Sequence, residues 1–168
     1  LHRYLEEGRL DDESLEQIDP LLRSIAADLR SGGASEPAEQ LGDIVHAFGL
    51  VSVQIDVDGS LPDDVHVAAA FLQIIREAST NATKHAQAHQ VQVRLWQEVS
   101  DGGAIAHMTV SNDGAPAPVS YREGTGIPGM RHVAQNLGGT LEVHAAPPFT
   151  LAVSIPLNSN ATVQRRSP

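Results

Sequence analysis

Glu77, Asn81, Lys84 and His85 are spaced by four, three and one, and on a helix that spacing gathers them within an arc of about 100°. A carboxylate, a carboxamide and two basic groups on one face can grip a polar or anionic ligand. A solvated edge laced by helical side-chain pairs would account for the charged members equally well. Asn81 argues for a ligand, because asparagine is a mediocre helix former that is tolerated mid-helix when its amide has something to bind. Further along, Gly124-Thr125-Gly126-Ile127-Pro128-Gly129-Met130 puts three glycines before and within a helix start, with Pro128 where a first-turn proline fits. Such a segment can bring bare backbone N–H groups, at the positive end of a helix dipole, up to phosphate oxygens; it can also be a plain turn, since glycine spacing alone is a weak signal. Val110-Ser111-Asn112-Asp113-Gly114 ends a strand in a polar turn, where a short side chain can face a ligand or simply close the turn.

These three segments need a scaffold. Val67, Ala70, Phe71, Ile74, Ile75 and Ala78 form an apolar face ahead of the polar stripe, which predicts a helix starting after Asp63-Asp64, where acids suit free N–H groups, and running to about Ala86. A helix is expected near Ala38 to Phe48 and a strand around Val51 to Val57, closed by a turn at Asp58-Gly59-Ser60. Strands are expected at Val91 to Glu98 and Ile105 to Ser111, the second alternating Ile105, His107, Thr109 and Ser111 against Ala106, Met108 and Val110. Asn112 to Glu123, with Pro116 and Pro118, reads as a loop. A helix over Pro128 to Leu137 follows, then strands Thr140 to Ala145 and Thr150 to Pro156 across a Pro147-Pro148 turn. Strands with intervening helices and hairpins point to an α+β two-layer sandwich.

Ahead of this unit, Leu15, Ile18, Leu22, Ile25 and Leu29 step by three and four along one helical face, a bundle or coiled-coil seam. Leu1 to Glu7 reads as the end of a preceding helix closed at Gly8, and Pro20 as a kink or a new first turn. The breaker Ser31-Gly32-Gly33-Ala34-Ser35-Glu36-Pro37 sets the boundary between a helical segment, 1–36, and the sandwich, 37–157. Residues 158–168 are expected to be a disordered tail. Because the chain opens at Leu1 rather than Met, it reads as part of something longer.

Composition narrows the function. With 168 residues, 41% hydrophobic and 19% charged, the chain can bury a real core. Eleven Lys plus Arg against 21 Asp plus Glu leave a net charge of −10, which repels nucleic-acid phosphates unless basic residues cluster; only Arg165-Arg166 do. No apolar run approaches the ~20 residues of a membrane-spanning helix, so membrane attachment is expected only through regions upstream. The chain has no cysteine, so a disulfide, a thiolate zinc site and a thiol nucleophile are excluded, which suits the cytoplasm.

Taken in order, the three segments resemble the catalytic domain of bacterial sensor histidine kinases, within the ATPase superfamily shared with gyrase, the heat-shock chaperone of ninety kilodaltons and mismatch-repair ATPases. Arg76-Glu77-Ala78-Ser79-Thr80-Asn81-Ala82-Thr83-Lys84-His85 resembles the first box of the subfamily of nitrate and membrane-fluidity sensors. The stretch at Gly124 resembles its glycine-rich lid box, and Leu137-Gly138-Gly139-Thr140 the segment that follows. The likeness covers about Leu41 to Leu157, and the ordered set is specific where each motif alone is not. It implies a Bergerat-type ATP-binding fold in which Asn81 holds the Mg²⁺ that bridges the ATP phosphates, as a hard oxygen ligand. Glu77 polarises the attacking group or a metal-bound water, and Lys84 and His85 sit near the phosphates. The backbone of Gly124, Thr125, Gly126, Ile127, Gly129 and Met130 closes over them. Transfer then rests on positioning and charge neutralisation. The partners implied are the protein's own dimerisation and phosphoacceptor domain, a second copy in the full-length homodimer, and a response regulator.

Two positions depart from the family pattern. Asn112 stands where an aspartate, two residues before the glycine Gly114, normally accepts a hydrogen bond from the adenine amino group; its amide oxygen can still accept, or Asp113 takes over if the register shifts by one. The last glycine-threonine element reads Phe149-Thr150, leaving Thr150 as the matching residue. In the family the phosphorylated histidine is usually followed by an acid, whereas His2 is followed by Arg3, so the acceptor is expected upstream. His85 and His89 are four apart, a zinc-compatible spacing without an evident third ligand. His46, His66, His107, His132 and His144 read as structural or exposed. The rival functions are a serine kinase of the anti-sigma-factor type, and a nucleotide-binding or dimerisation module without catalysis.

Overall fold

A computed structural model describes residues 36–101, 103–115 and 126–157. The expected helical segment ahead of Glu36, the tail after Leu157, His2, Arg165-Arg166, and Gly124 and Thr125 of the glycine-rich stretch lie outside the described residues. The elements run α1 (Pro37–Leu50), β1 (Gln54–Asp58), α2 (Val65–Ala86), β2 (Gln90–Ser100), β3 (Gly103–Asn112), α3 (Gly126–Asn136), β4 (Thr140–His144) and β5 (Thr150–Leu157). The strands form one sheet in the order β1-β2-β3-β5-β4. β1 lies parallel to β2, and the other pairings are antiparallel.

Period-two alternation gives the sheet its two faces. Val91, Val93 and Leu95 of β2, Ala106, Met108 and Val110 of β3, and Leu151, Val153 and Ile155 of β5 are buried on one face. Against them pack Ile44 and Phe48 of α1, Phe71, Ile74 and Ile75 of α2, and Ile127, Met130 and Ala134 of α3. The helices therefore make a second layer, and the α+β two-layer sandwich is observed. The opposite face carries Trp96 stacked on His107 (ring centroids 5.1 Å apart), whose Nδ1 meets Ser154 Oγ at 2.9 Å.

Two boundaries differ from the expectations for local reasons. The apolar run from Val51 was expected to be strand throughout, but α1 extends to Leu50 and Ser52 takes a left-handed backbone (φ 63°), which lets Val53 N–H donate to Phe48 O at 3.0 Å and close the helix. At α3 the helix begins two residues before Pro128, at Gly126. Its other end is set by Gly138 (φ 73°) and by Gly139, where any Cβ would run into Ser154 O and lie 2.7 Å from Ile155 Cγ1.

The long helix α2 is bounded by chemistry visible in the chain. Asp64 caps it, its Oδ1 accepting from His66 N (2.9 Å) and Val67 N (3.2 Å). Gln87 ends it in the left-handed region (φ 51°), with Ala88 N–H reaching back to Ala82 O at 3.1 Å. Asp64→Ala is expected to cost about 1 kcal/mol, seen as a lower urea midpoint at unchanged slope.

Across β1 and β2, Asp56 accepts from Gln54 Nε2 (2.8 Å) and Gln90 Nε2 (2.6 Å). Those two bonds, Gln54's first, hold its carboxyl below the ordinary value of 3.8. A lowered carboxyl stabilises the fold above its unfolded pKa and loses that contribution as pH falls through the folded one. The urea midpoints of wild type and Asp56→Asn should differ most near neutrality and converge once the pH is below that lowered value.

Candidate functional site

Glu77 and Asn81 leave α2 on the flank that faces the first residue of α3. A Cβ built at Gly126 would stand 2.6 Å from Glu77 Oε1, 2.9 Å from Asn81 Nδ2 and 3.6 Å from Asn81 Oδ1. The two side chains therefore converge on the start of α3, and only a residue without a side chain leaves their tips in this place. Both are half-buried. The first N–H groups of α3 lack intrahelical partners and carry the positive end of its dipole, so a carboxylate, a carboxamide and anion-seeking amides share one point. Lys84 is half-buried one turn beyond Asn81, and His85 is exposed.

Within the glycine-rich stretch the described residues divide by role. Ile127 and Met130 are buried, so their side chains anchor α3 in the core and only their backbone is free to meet a ligand. Gly129 is exposed, and a Cβ there would meet only open space, so nothing in packing demands glycine at that position.

The strand-end turn sits against the C-terminal end of α2, five residues past Asn81. Gly114 packs so tightly on Ala86 that a Cβ would lie 2.5 Å from both Ala86 Cβ and Ala86 O, while Ala115 N–H donates to Ala86 O at 2.8 Å. Asp113 does structural work: its Oδ1 accepts from His89 N and Gln90 N, both at 2.9 Å. Asn112 shares the strand parity of Val110 and Met108 and so points to the helix-covered face; its Oδ1 accepts from Gly114 N at 3.0 Å. Between the two positions left open for the adenine contact, this geometry favours Asn112 over Asp113.

Thr150 is not brought to this place. It alternates with buried Leu151, Val153 and Ile155, so it lies on the open face, where its hydroxyl donates to Pro148 O at 2.9 Å. Phe149 takes the core side instead and packs against the buried cluster, while its carbonyl accepts from Asn112 N at 3.3 Å. Counting back in twos from Ile155 would have found it. The His85/His89 spacing also loses its helical basis, since α2 ends at Ala86, and among the described residues no group of three or more His, Cys, Asp or Glu could hold a metal.

Magnesium asks for less than such a cluster. It is usually held by one or two protein oxygens, with phosphates and waters completing its shell. The amide oxygen of Asn81 is one such hard donor, and the Glu77 carboxylate beside it could meet a metal-bound water, so the residues present fit the ion.

Comparison with known proteins bears on the same region. The profile of the family described as histidine kinase-, DNA gyrase B-, and HSP90-like ATPase matches residues 66–159. The chain is 30% identical over 125 residues to the sensor histidine kinase MctS of Rhizobium johnstonii, covering 70% of this chain and 26% of that protein. It is 28% identical over 133 residues to the nitrate/nitrite sensor protein NarQ of Escherichia coli, covering 77% and 23%. The chain thus spans about a quarter of the length of these relatives. In fold it is similar to the blue-light activated histidine kinase of Erythrobacter litoralis EL346, with a TM-score of 0.59 at 23% identity over 86% of this chain and 54% of that one.

The chain belongs to the histidine kinase-, DNA gyrase B-, and HSP90-like ATPase family, and the domain it carries is an ATP-binding domain of that family. Among the described residues no helix is long and apolar enough to cross a membrane.

Gly126→Ala tests the convergence directly. The added methyl meets the far end of a flexible side chain, so stability should change by less than about 1 kcal/mol. Displacing Glu77 and Asn81 should nonetheless weaken Mg·ATP binding severalfold, as calorimetric titration would measure.

Proposed function

We propose that this domain binds Mg·ATP between α2 and the start of α3 and, in the full-length protein, delivers the γ-phosphoryl group to a histidine on the dimerisation helix for relay to a response regulator. The observation that carries this reading is the meeting of Glu77 and Asn81 at Gly126, the glycine that opens α3. A phosphoryl transfer asks a protein chiefly for alignment and charge neutralisation, and this arrangement supplies both from fixed elements.

In this reading an imidazole nitrogen of the acceptor histidine attacks the γ-phosphorus, the bond to the β–γ bridging oxygen breaks, and ADP leaves with the electron pair. Glu77 accepts a hydrogen bond from the attacking group and so orients it. Asn81 would hold the Mg²⁺ through its amide oxygen, and the bound ion supplies neutralisation of charge on the phosphates. Lys84, one turn on, adds positive charge near them, and the free N–H groups at the start of α3 meet phosphate oxygens. His85, exposed, is placed at the rim. The acceptor histidine, a second copy, the response regulator, a cytoplasmic setting and any membrane anchor belong to this reading through the longer relatives.

Glu77→Ala and Asn81→Asp, each made in the full-length kinase, should abolish phosphorylation while leaving the unfolding transition of the domain within about 1 kcal/mol of wild type. Acid-labile phosphate on the wild type would identify histidine rather than serine as the acceptor. Wild-type phosphorylation rates in both variants would remove the site assignment, and absence of Mg·ATP binding at millimolar concentration would favour an inert module.

A further inference from the structure

The amide of Asn112 is turned in a definite sense. Its neighbour at 3.0 Å is the backbone N–H of Gly114, which can only donate, so the atom it meets is the acceptor oxygen. The Nδ2 group points the other way, and no protein partner for its two hydrogens is found among the described residues. Asn112 lies on the helix-covered face of β3, at the level of Ala86, against which Gly114 packs. Ala86 is five residues past Asn81, about 7.5 Å along α2 at the helical rise. A nucleotide with its phosphates at Asn81 and Glu77 would lay its base toward Ala86, next to a half-buried side chain that offers two amide hydrogens.

The edge of the base decides what can use them. Adenine carries an amino group at position 6, itself a donor, whereas guanine and hypoxanthine carry a carbonyl oxygen there, an acceptor. A carboxylate at position 112 would offer only acceptors, complementing the amino group and repelling the carbonyl. Asn112 offers its Nδ2 hydrogens, without a partner among the described residues, to a carbonyl, while an adenine amino group has to share Oδ1 with Gly114 N–H. We propose that Asn112 opens this site to 6-oxopurine nucleoside triphosphates, which bind comparably to ATP or more tightly. The inference rests on the nucleotide site proposed above and names the determinant of its base selectivity.

The test is calorimetric titration of the 168-residue chain with Mg·ATP, Mg·GTP and Mg·ITP, for wild type and Asn112→Asp. ITP is the deciding ligand, because it differs from ATP on this edge of the base without the 2-amino group of GTP. The wild type should bind ITP within about threefold of ATP or more tightly. Asn112→Asp retains the oxygen that Gly114 uses and should shift the ITP-to-ATP affinity ratio toward ATP by roughly 10-fold or more. If the wild type binds ATP but rejects ITP 10-fold or more, the selectivity inference falls while the nucleotide site stands. If the ratio is the same in both proteins, Asn112 is not the determinant. If no purine nucleotide binds the wild type, the site and the inference fall together.

Discussion

The approach of α3 to α2 at Gly126 is the constraint on which the site depends. Glu77 Oε1 and Asn81 Nδ2 lie within 3 Å of where a side chain would begin, so the two side chains can keep this place only because α3 contributes bare backbone there. What keeps α3 in place is ordinary packing on either side of the contact: Ile127, Met130 and Ala134 are buried in the common core. The polar meeting point is therefore held from below by apolar burial, which supplies most of the stability of any such element. Glu77 and Asn81 need contribute little to stability themselves.

The C-terminal end of α2 is locked by different means. Gly114 sits against Ala86 without room for a Cβ, Ala115 bonds the Ala86 carbonyl, and Asp113 gathers two backbone N–H groups from the start of β2. A turn that looks polar and loose in the chain is thus pinned to both the helix and the sheet. The pinned turn at Ala86 and the glycine-opened contact a little more than a turn before it are what the proposed nucleotide site would use for the base and for the phosphates. In a chain of net charge −10, an anionic ligand needs a local source of positive potential, and amides without intrahelical partners at a helix N-terminus are one that formal charge does not count.

Much of this was legible in the chain. Alternation in β3 separated Ala106, Met108 and Val110 from their outward neighbours, and burial follows that division. The N-cap at Asp64 and the extent of α2 to Ala86 came from the pairing of acids with an apolar helical stripe. Glu77 and Asn81 stood out because polar groups break that stripe at helical spacing. These are local features, set by backbone sterics, helical and strand periods and the preferences of capping residues, all of which act over a few neighbouring residues.

What the chain alone left open depends on residues far apart in it. That Asn112 rather than Asp113 keeps its side chain on the helix-covered face follows from strand parity and from Asp113 bonding His89 and Gln90, more than twenty positions earlier. Thr150 matches the motif by residue type, yet the register of β5 against β3, with Thr150 opposite Ser111, puts it on the open face and Phe149 on the core side. The meeting of Gly126 with Glu77 and Asn81 likewise requires α3 to lie across α2. Spacing along one helix orders its own side chains, but which backbone comes to stand before them is decided only when the layers pack, because that choice is made by the burial of surfaces belonging to several elements at once.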